Sequence, residues 1–229
     1  MVQLIPDILA PEIKSPAERR LFIEFRDYIT SKKYIVLHSL GIAEHKNNIF
    51  GEIDFLILCN EGVLCLEVKG GEVSRGKGVW EFTNRYGKVS RKNEGPFQQV
   101  QGNMQSLLQY MRRRLGNYDP LARCQYACAV AMPDCKFKST GLGIDEIPEI
   151  LVDAKHPWDL DSLVKQAFEY WRRTCREKHG FEGGRLTDEE VEKMANLLRG
   201  DFRFVPSMKD TVERTVKELC ALTAEQYEV

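Results

Sequence analysis

The sequence carries almost no net charge: its 33 lysines and arginines stand against 34 aspartates and glutamates, a balance of −1. That excludes bulk positive charge as a means of holding nucleic acid, so any surface for phosphates has to be a local patch. Histidine is scarce, and His38, His45, His156 and His179 show no ligand spacing. The seven cysteines are odd in number and form no CxxC pair. Cys124, Cys128 and Cys135 have no histidine at zinc-finger distance, so neither a zinc framework nor a disulfide scaffold is indicated. We read the cysteines as reduced thiols of a cytoplasmic protein, with Cys59 and Cys65 in the core. No run approaches membrane-spanning length, and the N-terminus lacks the basic-then-apolar pattern of a secretory signal. Internal repeats and low-complexity tracts are absent as well. What is present is an ordinary composition, 43% hydrophobic and 29% charged over 229 residues. That suffices for one full core and an appended piece.

One stretch organises the rest: Gly51 to Gly71, GEIDFLILCNEGVLCLEVKGG. The apolar runs Ile53–Leu58 and Val63–Val68 flank Asn60-Glu61-Gly62, which predicts a β-hairpin. Both runs are apolar on both faces, as in a covered sheet. Asp54, Glu67 and Lys69 interrupt them. Glu67 and Lys69 share a face because strand side chains alternate. A tight turn at Glu61-Gly62 places Asp54 opposite Lys69, whereas a loop of Cys59–Gly62 places it opposite Glu67. Either register gathers all three groups on one face. A three-residue loop would send Asp54 to the other face. Two carboxylates and an ammonium at the end of a buried hairpin are costly without a partner. A divalent ion is the obvious one, and oxygen ligands suit Mg²⁺ or Mn²⁺.

Asp54 followed by Glu67-Val68-Lys69 resembles the D…(D/E)-x-K signature of the PD-(D/E)XK nuclease superfamily. The fuller text, EIDFLIL…GVLCLEVKGG, is similar to its nuclease-related (NERD) branch. So are Ser15-Pro16-Ala17-Glu18 upstream and Pro96-Phe97-Gln98-Gln99 downstream. The similarity covers about residues 10–115 and reaches toward the strand Ala127–Met132. It implies an α/β, restriction-endonuclease-like fold, a mixed central sheet flanked by helices. It also implies metal-assisted hydrolysis of a phosphodiester with Mg²⁺ or Mn²⁺ as cofactor. By the same resemblance Asp54, Glu67 and the carbonyl of Val68 would be metal ligands. Lys69 would orient the attacking water or stabilise charge, Glu18 would add a carboxylate, and Gln99 would position water or phosphate. The substrate would be DNA or RNA. Two further readings stay open: a nuclease fold that binds DNA without cutting, and a protein-interaction module.

Each of these residues also has a plainer reading. Glu18 completes a capping box with Ser15 at the start of helix 1, and Glu52 reads as a solvated edge carboxylate. Arg75, Lys77, Arg85, Lys88, Arg91 and Lys92, with Trp80 and Tyr86, suit a strand-and-loop surface facing phosphates. Charge runs are otherwise solvated faces. Residues 1–14 read as an extended arm, and Tyr34–Leu40, Val79–Phe82, Tyr126–Met132 and Ile150–Val152 as strands. Helices are expected from Pro96 to about Leu115, from about Asp159 to Lys178 and over Thr187–Leu198, with a C-terminal helix over Val212–Leu222. The glycine-rich Gly180–Gly184 suggests a nuclease-like domain over 1–180 and a helical segment over 181–229. Leu222-Thr223-Ala224-Glu225-Gln226 is similar to the text that opens superfamily 1 helicases, which implies a fused or associated helicase.

Overall fold

The computed structural model describes residues 1–9, 13, 15–42, 51–84, 86–137, 143, 146–155, 159–201 and 215–216. In chain order the elements are β1 (Val2–Ile5), α1 (Pro16–Arg26), β2 (Tyr34–Ile42), β3 (Gly51–Cys59), β4 (Gly62–Val68), β5 (Glu72–Gly76), β6 (Val79–Thr83), β7 (Val89–Lys92), α2 (Pro96–Leu115), α3 (Pro120–Arg123), β8 (Tyr126–Met132), β9 (Leu151–Asp153), α4 (Leu160–His179) and α5 (Asp188–Arg199). Six strands form one sheet in the order β1-β2-β3-β4-β8-β9, and β5-β6-β7 form a separate antiparallel sheet. In the larger sheet β2, β3 and β4 pair antiparallel, while β1 joins β2, β8 joins β4 and β9 joins β8 in parallel. This is the mixed sheet expected of a restriction-endonuclease-like fold, with helices flanking it.

The hairpin is the centre of the core. Every residue of β4 and of β8 is buried, as continuous apolar strands covered on both faces should be. Cys59 and Cys65 are core residues here too. The pair Cys59↔Gly62 closes the turn on Asn60-Glu61. Gly62 takes φ +133°, and a Cβ there would lie 2.1 Å from the Gln125 carbonyl oxygen, so only glycine fits. Phe25 meets Phe55 edge-on at 5.2 Å, which seats α1 on β3.

The extended arm turns out to contain a strand: Val2–Ile5 pairs with Tyr34–Leu37. The chain divides into two compact units, Met1–Arg199 and Gly200–Val229. The expected boundary at 180/181 therefore falls inside the first, because α5 packs on β2 and β3. Arg199, the last residue of α5, donates to the carbonyls of Ile5 (3.1 Å), His38 (2.5 Å) and Ser39 (2.6 Å). The helix expected over Val212–Leu222 and the text Leu222–Gln226 lie outside the described residues, apart from Thr215 and Val216, which are helical.

Ser15 caps α1 by accepting the Glu18 N–H at 3.3 Å. Ser15→Ala is expected to cost about 1 kcal/mol. A thermal melt should show this as a fall of about 2–4 °C for a domain of this size.

Candidate active site

The site grows from the end of the hairpin away from its turn. Continuing the register one step past Phe55↔Leu66 sets Asp54 opposite Glu67. That is one of the two registers that put both carboxylates on one face. Asp54 lies where the ladder ends, and its Oδ2 accepts the Val68 N–H at 2.7 Å. The side chain thus completes the pairing that the backbone stops supplying. Glu67 is 1% exposed and Lys69 18%, and the Lys69 ammonium donates to Glu67 Oε1. Glu67 Oε2 is buried with no hydrogen-bond partner.

Electrostatics follow from that packing. Burial, and then the charge of Glu67, push the Asp54 pKa well above the ordinary aspartate range. Burial likewise raises Glu67, against the pull of Lys69 and Lys92. For Lys69 burial works against the charge, but Glu67 and Asp54 outweigh it and hold the pKa above the ordinary lysine value. Lys69 is therefore an ammonium at neutral pH, suited to stabilising negative charge and not to accepting a proton.

Glu18, on α1, lies near enough to this centre for its charge to act on it. Its charge contributes to the shifts of Asp54, Glu67 and Lys69. The approach is close because Gly70, directly after Lys69, has no side chain: a Cβ there would stand 2.7 Å from the Ala17 Cβ. Asp134, which the sequence did not single out, fixes the next residue. Its Oδ2 accepts the Gly71 N–H and its Oδ1 pairs with Arg20, both at 2.7 Å. Burial alone would raise Asp134, yet these two partners hold its pKa below the usual value.

The structure also locates the other sequence-predicted residues. Gln99 is half-buried in the first turn of α2, its backbone N–H bonded to the Gly95 carbonyl. Gln98 is taken by the cap, its Oε1 accepting the Gly95 N–H at 3.4 Å. Glu52 is exposed. Of the basic residues, Arg75 is ion-paired with buried Glu146 and lies 5.4 Å over Trp80, and Arg91 pairs with Glu81 at 2.6 Å. Lys77 and Lys88 are exposed. Lys92 is exposed and close enough to act on Glu67. Arg85 lies outside the described residues. The β5–β7 sheet touches the site through Phe82, whose ring lies 5.8 Å from Lys69 Nζ. His38, assigned no role from the sequence, stands 2.8 Å from Glu18.

Among the described residues no group of three or more His, Cys, Asp or Glu side chains is placed to hold a metal ion. The chemistry of the smaller set nevertheless fits one. Two carboxylates with raised pKa values face each other, and one oxygen is buried without a partner. A dication would satisfy that oxygen and offset both charges. No helix among the described residues is long and apolar enough to cross a membrane.

The model of the nuclease-related domain (NERD) family matches residues 14–131, just over half of the 229 residues. No curated protein and no solved structure matches the chain. The matched span holds Glu18, Asp54, Glu67, Lys69, Gln99 and the β5–β7 sheet, and it ends well before Leu222–Gln226.

Proposed function

The chain belongs to the nuclease-related domain family, and from that premise we propose that it hydrolyses phosphodiester bonds in DNA with Mg²⁺ or Mn²⁺, centred on Asp54, Glu67 and Lys69. The observation that carries this reading is the facing pair Asp54 and Glu67 at the hairpin end, with Glu67 Oε2 buried and unpartnered. Asp54 and Glu67 would hold the ion, with the Val68 carbonyl as a further ligand. Such an ion, when bound, makes a bound water acidic and offsets phosphate charge.

The residues of the chain do the rest. Lys69 keeps its proton and stabilises the negative charge that builds on the phosphate in the transition state, orienting the attacking water beside it. Glu18 adds a carboxylate at the edge of the centre. Gln99 positions water or phosphate from the start of α2. Lys77 in the β5–β6 turn, Lys88 just before β7 and Lys92 at its end hold the phosphate backbone, while Arg75 and Arg91 are drawn toward it only by giving up Glu146 and Glu81. We place the protein in the cytoplasm, acting in DNA repair or anti-phage defence with a fused or associated helicase. That partner rests on Leu222–Gln226 alone.

The test incubates circular and linear DNA, single-stranded DNA and RNA with the protein in Mg²⁺, Mn²⁺ or EDTA. Cutting of DNA that requires metal is the expected result. DNA binding without cutting under any condition would replace this reading with that of a binding module.

A second prediction concerns the surface. Replacing Lys77 and Lys88 together by alanine is expected to weaken DNA binding alike for all sequences. The slope of log affinity against log salt should fall by about 1 for each phosphate that is no longer neutralised. Fluorescence anisotropy across a salt series measures this, and an unchanged slope would put the phosphate path elsewhere.

A further inference from the structure

His38 is the odd residue of an apolar strand, Tyr34-Ile35-Val36-Leu37-His38, and it is 1% exposed. A polar ring so deeply buried is costly unless it is hydrogen-bonded. Its Nε2 lies 2.8 Å from Glu18 Oε1. An ionised carboxylate only accepts, so the ring nitrogen facing it is the donor.

The ring has little freedom to turn. It stacks on Phe55 at 4.8 Å and 29°, and Phe22 meets it edge-on at 5.1 Å and 65°. The backbone beneath is fixed too, since Arg199 holds the carbonyls of His38 and Ser39. Ser39, opposite Asp54 in the register, takes φ +50°. Glu18, by contrast, sits in the first turn of α1 and is 14% exposed. Left alone, its flexible side chain would sample several rotamers. The donor that fixes it is His38.

On the reading of Asp54, Glu67 and Lys69 as a metal-dependent centre, we infer that His38 is a positioning residue that aims the Glu18 carboxylate at this centre and thereby sets its affinity for the divalent ion. Supporting groups of this kind, one step removed from the ligands, typically govern metal affinity strongly. His38 touches no reacting atom and acts through Glu18.

The experiment is a Mn²⁺ titration of the full chain without DNA, followed by calorimetry or electron paramagnetic resonance. His38→Phe keeps an aromatic ring between Phe55 and Phe22 but cannot donate. It is expected to weaken Mn²⁺ binding about 10- to 100-fold. His38→Gln, which places an amide N–H near the position of Nε2, should restore most of the affinity. Glu18→Gln approaches the same contact from its exposed side and should match His38→Phe, and the double variant should lose no more than either single one. Should His38→Phe fail to fold, His38→Leu, which likewise cannot donate to Glu18, takes its place. Wild-type affinity in Glu18→Gln, or in a folded His38→Phe, would overturn the inference. If Asp54→Asn abolishes Mn²⁺ binding in that same series, the reading of the centre survives while the role of His38 falls. A wild type that binds no Mn²⁺ removes both.

Discussion

Asp54→Asn is expected to abolish metal-dependent cleavage while making the metal-free protein more thermostable. Loss of a ligand removes several kcal/mol of transition-state stabilisation, which is a factor of about 1,000 or more in rate. The gain in stability comes from the same charge. Burial and Glu67 raise the Asp54 pKa well above its ordinary 3.8. A carboxyl with a raised folded-state pKa binds its proton more tightly folded than unfolded. Its contribution to stability is therefore fully present below the unfolded pKa and is lost as pH rises through the folded one. Metal-free wild type should accordingly lose stability between about pH 4 and its raised folded value, and the asparagine variant should not lose that portion. Glu67, raised by burial, adds to the slope in both proteins. The amide oxygen of the substituted side chain can still accept the Val68 N–H, so the local ladder survives. Mg²⁺ should raise the melting temperature of wild type at neutral pH and leave that of Asp54→Asn unmoved. Melting curves over a pH series, with and without Mg²⁺, measure all of this. A variant less stable than wild type at neutral pH would show that Asp54 is not under charge strain.

Lys69→Met has the second large effect, this time on stability as well as activity. Lys69 donates to Glu67 Oε1, and Glu67 Oε2 already lacks a partner. Removing the ammonium strands a buried carboxylate, a change that typically costs about 3–5 kcal/mol. The cost has a pH signature. Below the raised pKa of Glu67 the carboxyl takes up a proton and little is lost, so the penalty grows as pH rises through that value. Adding Glu67→Gln should recover much of the stability and none of the cleavage. Urea unfolding at acid and alkaline pH, carried around the double-mutant cycle, tests this. An equal penalty at both ends of the range would mean that Lys69 acts by packing against Phe82 and not by its charge.

How far the sequence reveals the site can be judged residue by residue. The hairpin and its three charges are legible because alternation is local: Asp54, Glu67 and Lys69 share a face in either even register. The choice between registers is settled only in the fold, where Gly62 of the closing pair lies against the Gln125 carbonyl, 63 residues further on. The capping box at Ser15–Glu18 marks the start of α1 within a few residues, and in the fold Thr187 and Glu190 form a second one at α5, with both bonds present. Strand β1 is hidden because Val2–Ile5 has no pattern apart from its pairing with β2. His38 reads as one histidine in an apolar run, and nothing in its spacing points back to Glu18. For the basic residues the fold adds what the sequence hides. Arg75 and Arg91 look ready for phosphate in the sequence, but their partners Glu146 and Glu81 become neighbours only in the fold. α5 announces itself as a helix, whereas its attachment to β2 and β3 is tertiary.

The most direct test of the central claim is a single one. Labelled single- and double-stranded DNA is incubated with wild type and Asp54→Asn across a series of Mn²⁺ concentrations, with an EDTA control. Cleavage by wild type is expected to rise with Mn²⁺ and stop in EDTA, and to be absent from the variant at every concentration. Cleavage that persists in EDTA, or that Asp54→Asn retains, would contradict it.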